Sequence, residues 1–210
     1  ITAINEATGQ ITLDVPIYDR LDRSLSQSQI YVLSEPDIRR NSGVENLRIA
    51  VASSGALSED HVRTAIFLEG VEDVWVTDVT ALRFSYAAVN TEVATRVTVK
   101  GCSGLSPHSP IDGGRRYNFA SNFQSNNILF TECVGSDGRH TFVCNAASTG
   151  SGIVFHNSTS TGDLSASEGH RRWSQALLFD NITFTESETF TLLGLYNRGS
   201  FGTGHGWSAT

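Results

Sequence analysis

The chain has 210 residues, of which 39% are hydrophobic and 18% charged, and its formal net charge is −7. This composition excludes a disordered chain, and the length is enough to bury a sizeable core as one domain. No apolar run approaches the ~20 residues that span a bilayer, which excludes a transmembrane helix and a membrane partner. The opening stretch ITAINEATGQITLDVPI alternates Ile4, Ile11, Leu13 and Val15 with polar residues, which predicts a strand pair within residues 1–40. That stretch lacks a charged region followed by an apolar one, so it does not read as a signal peptide. Methionine is absent, as expected of a processed or excised piece of a longer product.

From residue 41 onward a repeat dominates. Six segments share an apolar-x-apolar-x-x-small/apolar pattern: LRIAVA at 47–52, VWVTDV at 74–79, VTVKGC at 97–102, ILFTEC at 128–133, IVFHNS at 153–158 and LLFDNI at 177–182. Their central residues Ile49, Val76, Val99, Phe130, Phe155 and Phe179 are spaced 27, 23, 31, 25 and 24 apart. Leu47, Val74, Val97, Ile128, Ile153 and Leu177 form a second column two residues earlier. Period-two alternation predicts strands with one buried face, and the only weakly helical stretch, Asp60 to Leu68, has no stop signal. Strands recurring at about 25 residues predict an all-β parallel solenoid, since each coil buries its apolar face only by stacking on the next. An antiparallel sandwich is the alternative, and it leaves the aligned columns unexplained. The expectation is a single domain over 1–210, with opening strands at 1–40 and stacked coils at 41–210. Loops are enlarged at 103–127, 135–150, 159–175 and 196–210.

The columns resemble the right-handed parallel β-helix of the pectate-lyase-like superfamily, over roughly residues 40 to 200. The resemblance implies an extracellular, carbohydrate-active protein of the polysaccharide lyase or glycoside hydrolase type. The sequons Asn157-Ser158-Thr159 and Asn181-Ile182-Thr183 fit a secreted glycoprotein. Stacking places Phe130, Phe155 and Phe179 on one another and makes Cys102 and Cys133 inward neighbours, either as buried thiols or as a disulfide. Cys144 has no evident partner.

Four phrases pair glycine with cations and aromatics: GRRY at 114–117, GRH followed by Thr-Phe at 138–142, GHRRW at 169–173 and GHGW at 204–207. Arg115 precedes Phe130 by 15 positions and His140 precedes Phe155 by the same 15, which predicts neighbouring places on successive coils. Arg115, Arg116, Arg139, His140, His170, Arg171, Arg172 and His205 would then form a basic strip, with Tyr117, Phe142, Trp173 and Trp207 beside it. Such a strip suits a long anionic polysaccharide. With a pI near 5.3, nucleic acid is disfavoured. The alternative for these residues is structural duty, bonding turn carbonyls and nearby carboxylates.

β-Elimination on a uronic-acid polymer needs a cation on the substrate carboxylate and a base for the C5 proton. Arg116, Arg139, Arg171 and Arg172 are candidates for the first role, His140 or His170 for the second, and Tyr117 for protonating the leaving oxygen. Arg115, Arg116, Trp173, His205 and Trp207 are candidates for substrate binding. Hydrolysis would need paired carboxylates, with Asp112, Asp137, Asp163, Glu168 and Asp180 available. Calcium-assisted elimination, which the resemblance to pectate lyases implies, stays open as a third chemistry that no tight acidic cluster supports, and no other cofactor or metal is expected. A non-catalytic class remains open: the chain stops at HGWSAT without a visible cap, so uncapped coils could associate end to end into a filament.

Overall fold

The computed structural model describes residues 1–18, 21–25, 28–30, 37–145, 150–170 and 174–196. It divides into two compact units, Ile1–Ser34 and Glu35–Thr210. In the first, β1 (Ala3–Asn5) and β2 (Gln10–Thr12) pair antiparallel with Ile4 opposite Ile11, the strand pair that the alternation predicts. Asn5 Oδ1 accepts the N–H groups of Ala7 and Thr8 and so closes the turn.

The second unit begins with β3 (Arg39–Glu45), β4 (Arg48–Ala50), β5 (Thr64–Thr77), β6 (Thr80–Leu82), β7 (Ala87–Lys100) and β8 (Ser103–Leu105). It continues with β9 (Phe119–Asn122), β10 (Asn126–Thr131), β11 (Val134–Ser136), β12 (Phe142–Asn145), β13 (Ser151–Thr161), β14 (Ser167–Gly169), β15 (Gln175–Thr185) and β16 (Leu193–Gly194). Every pairing in this unit is parallel, and no helix occurs among the described residues. The pairs fall into three ladders. One joins the first half of β5 to the first half of β7, then β9, β12, β14 and β16. A second joins β3, the ends of β5 and β7, β10, β13 and β15. The third joins β4, β6, β8, β11 and the far ends of β13 and β15.

The second ladder carries the apolar column. Val76, Val99, Phe130, Phe155 and Phe179 lie opposite one another in turn, and Phe130, Phe155 and Phe179 stack with centroids 5.0 Å apart at each step. The first rung differs from expectation. Val44 stands opposite Val76, whereas Ile49 pairs with Ala81 in the third ladder. The polar run Asn41-Ser42-Gly43 hides the alternation there. Gly43 is required because the Trp75 ring lies across it, and a Cβ at that position would sit 2.2 Å from the indole.

Three stretches expected as loops are strands instead. FASN, FVCN and SEG at β9, β12 and β14 build the first ladder, and they are too short and too mixed in polarity to show a period. Between ladders the backbone turns at residues of positive φ that share a register. One such row is Asp73, Arg96, Asn127, Gly152 and Ala176, and another is Asp78, Gly101, Glu132, Asn157 and Asn181. The sequon asparagines thus occupy a turn row, where Asn181 Nδ2 donates to Asn157 Oδ1 at 2.7 Å. All three cysteines are buried and unbridged, and burial pushes the Cys133 thiol up to about 12, which makes it core filler.

Phe130 is fully buried between the rings of Phe119 and Phe155. Phe130→Ala is expected to cost about 3–5 kcal/mol in urea unfolding. Val44→Ala, at the partly covered end of the same column, is expected to cost well under half as much.

Candidate functional site

The connection from the third ladder to the first is short in most repeats, at 83–86, 137–141 and 162–166, but long at 51–63 and 106–118. The two long segments are tied together. Ser109 N–H donates to the Ala56 carbonyl at 2.9 Å, and His108 Nδ1 lies 3.0 Å from Ser53 Oγ. Arg115 Nε meets Glu59 at 2.7 Å. Arg116 is buried and fastens both segments, giving Nε and Nη2 to the Ser109 carbonyl and Nη2 to the Ala56 carbonyl at 2.9 Å. Both arginines, expected to hold substrate, instead brace the wall that the segments form.

Beside that wall, the outer face of the first ladder opens into a cleft with two lobes of about 360 and 280 Å³ that share Arg63, Tyr86, Glu92 and Asn122. Phe67 and Asn90 complete one lobe; Gly114, Tyr117, Phe123 and Asn145 complete the other. Arg63 lies over the Tyr86 ring at 4.5 Å, and the Tyr86 hydroxyl donates to Asn122 Oδ1 at 3.1 Å. Asn90 Oδ1 and Asn145 Oδ1 are buried acceptors with no hydrogen-bond partner among the described residues. Burial holds the Glu92 carboxyl above its usual range, helped by Glu69, which stands opposite it across β5 and β7.

Tyr117 divides this cleft from a buried cluster. Its hydroxyl oxygen accepts Gly114 N–H at 3.2 Å and Arg139 Nη1 at 3.1 Å, and lies 3.3 Å from His170 Nε2. Its ring is 5.4 Å from that of His140 and 5.7 Å from that of His170. His170 Nδ1 bonds Glu168 Oε1, the Tyr196 hydroxyl donates to Glu168 Oε2, and His140 Nε2 is 3.6 Å from Glu168 Oε1. His140 Nδ1 donates to the Ala166 carbonyl. Burial, then the charge of His170, pushes His140 down to about 3, leaving a neutral imidazole at neutral pH. Burial alone would raise Glu168, yet the hydrogen bond from His170, the nearby His140 and the bond from Tyr196 hold it below its ordinary value.

Tyr117, Arg139, His140 and His170 therefore do meet, but as a covered cluster rather than an open strip. His140 is 3% exposed and His170 8%. The expected alignment of Arg115 with His140 is displaced, because the Arg116 carbonyl receives the N–H groups of both Arg139 and His140. Phe119 pairs with Phe142, 23 residues on, whereas Phe130 pairs with Phe155, 25 residues on, so an offset counted from the second ladder misplaces the first. Phe142 faces the core and stacks on Phe119 at 5.8 Å, not beside the cations. Arg171, Arg172, Trp173, His205 and Trp207 lie outside the described residues.

Of the candidate carboxylates, only Glu168 joins the cluster. Asp112 bonds the N–H of Gly113, and Asp180 sits on the surface 3.6 Å from His156. Asp137 accepts the hydroxyl of its neighbour Ser136. Asp163 is buried under the hydroxyls of Thr141, Ser160 and Ser187. Arg63, Tyr86, Asn90, Glu92, Asn122 and Asn145 were not singled out by sequence, and the long connections at 51–63 and 106–118 were the signal that marks their neighbourhood. No protein-family model, curated protein or solved structure matches the chain.

Burial raises the Asp163 carboxyl above its unfolded value, so the folded state keeps this proton to higher pH than the unfolded state does. Its contribution to stability is complete below about pH 3.9 and declines as pH rises through the folded value. The stability advantage of the wild type over Asp163→Asn should accordingly shrink from pH 3.5 towards 7, as followed by thermal melts on both proteins. An advantage that grows with pH would contradict the assignment.

Proposed function

We propose that the three parallel ladders are the faces of a right-handed parallel β-helix and that the cleft on the first face binds an anionic polysaccharide outside the cell. The observation that carries this is the cleft itself. Two buried amide oxygens, Asn90 Oδ1 and Asn145 Oδ1, have no donor among the described residues, in a groove that also offers the aromatic residues Phe67, Tyr86 and Phe123 and the Arg63 cation. Buried acceptors left without donors are costly, and sugar hydroxyls would supply those donors. Arg63 supports a charged sugar, because a carboxylate in the cleft would face it.

For chemistry, the arrangement favours β-elimination with Tyr117 as the group that handles the proton. Gly114 N–H and Arg139 donate to its oxygen, a shell suited to holding that oxygen as an anion before it takes a proton. In that step Tyr117, having passed its own proton to His170 Nε2 at 3.3 Å, takes as tyrosinate the C5 proton of a uronate whose carboxylate is neutralised by Arg63. The C4–O bond breaks as the C4–C5 double bond forms, and the same hydroxyl returns the proton to the leaving oxygen. Tyr117 is itself only 2% exposed but lines the cleft, whereas His140 and His170 lie behind it and act here through it and not on the sugar. A second chemistry, hydrolysis, rests on a different observation: Glu92, whose carboxyl is raised by burial, stands in the cleft opposite Glu69.

Incubation with a panel of uronic-acid polysaccharides tests both. Elimination produces an unsaturated uronate seen by its ultraviolet absorbance, and Tyr117→Phe should lower that rate by at least about 100-fold while leaving binding within a few-fold. Reducing ends that form without the absorbance, and that vanish in Glu92→Gln, would transfer the assignment to hydrolysis. Absence of both binding and products across the panel would refute the polysaccharide assignment.

A further inference from the structure

The cluster behind Tyr117 brings a buried ring nitrogen and a carboxylate oxygen together with no hydrogen bond between them. A carbonyl oxygen only accepts, so His140 Nδ1, which meets the Ala166 carbonyl, carries the ring hydrogen. In the neutral ring Nε2 then presents a lone pair. That atom is buried, has no hydrogen-bond partner among the described residues and faces Glu168 Oε1 at 3.6 Å. A cation placed between that nitrogen and the carboxylate oxygen would satisfy both.

We propose that His140, Glu168 and His170 bind a divalent transition-metal ion of the zinc type. One donor atom from each residue lies within 4.8 Å of the other two, close enough for a single ion to bridge after small side-chain movements. Two imidazoles and a carboxylate form a donor set suited to zinc and its neighbours, unlike the all-oxygen shells that calcium and magnesium take. Three protein ligands leave a fourth position for water.

The surroundings are those that orient metal ligands. His140 gives its remote N–H to a backbone carbonyl, His170 directs its remote Nε2 at the Tyr117 hydroxyl, and Glu168 receives the Tyr196 hydroxyl on its other oxygen. With an ion on Nδ1, His170 carries its hydrogen on Nε2 and donates to the Tyr117 oxygen alongside Gly114 and Arg139. The site is defined without reference to any sugar, and it stands or falls independently of the polysaccharide assignment.

Titration of the chelator-treated full chain with Co²⁺ tests it. The expected result is one equivalent of Co²⁺ bound, with visible ligand-field bands that Zn²⁺ abolishes and Ca²⁺ does not. His140→Ala should lose the bands while keeping the wild-type circular dichroism. Should that variant not fold, Tyr196→Phe replaces it, with an expected 10- to 100-fold weaker Co²⁺ affinity from the loss of the bond to Glu168. A folded wild type that develops no bands at saturating Co²⁺ overturns the proposal. So does a folded His140→Ala protein with unchanged bands, or a Tyr196→Phe protein with unchanged affinity.

Discussion

Everything in the larger unit depends on parallel strands being kept in register from one repeat to the next. Parallel pairing needs a long return path between partners, so the chain must turn sharply several times and arrive each time at the same place. The rows of positive-φ residues do this. Asp78, Gly101, Glu132, Asn157 and Asn181 adopt the left-handed conformation at equivalent positions, as do Asp73, Arg96, Asn127, Gly152 and Ala176. Left-handed backbone is unfavourable for residues other than glycine, and Asn and Asp tolerate it best. The stacked core of Phe130, Phe155 and Phe179 and the ladder bonds on either side offset that cost.

The same constraint explains how a site of polar groups is built on this frame. The outer face of the first ladder takes its residues from successive strands, Glu92 from β7, Asn122 from β9, Asn145 from β12 and Glu168 from β14. Because these strands are held by a closely packed interior, the groups they project are held as firmly as the core. Tyr117 comes from an inserted segment instead, and Arg116, one residue earlier, anchors it by bonding two carbonyls on the paired insert. A rigid sheet thus supplies the floor of the cleft, and two cross-braced connections supply its wall.

How much of this could be read beforehand follows from where the signals lie. Val76, Val99, Phe130, Phe155 and Phe179 are β-branched or aromatic and alternate with polar neighbours, so the second ladder was legible from its pattern alone. The first ladder was not. Its interior positions include Thr91, Ser121 and Cys144, its strands are as short as two residues, and its rows are drawn from distant parts of the chain. The glycine-and-cation phrases led to Tyr117, Arg139, His140 and His170, and bonding to a nearby carboxylate was one reading of them, but the phrases could not separate an open strip from the covered arrangement in which His140 and His170 meet Glu168. Arg63 and Glu92 sit in no phrase at all; only pairing places them together.

The two long connections also show where this architecture is free to change. Strand and turn positions are fixed by stacking, so added residues are accommodated at one kind of corner, where 51–63 and 106–118 already stand next to each other. Floor and wall can thus vary separately: lengthening or shortening the paired connections would reshape the opening of the cleft without touching a core contact. Length at that corner is therefore a variable separate from the packed interior, which sets the spacing of the strands.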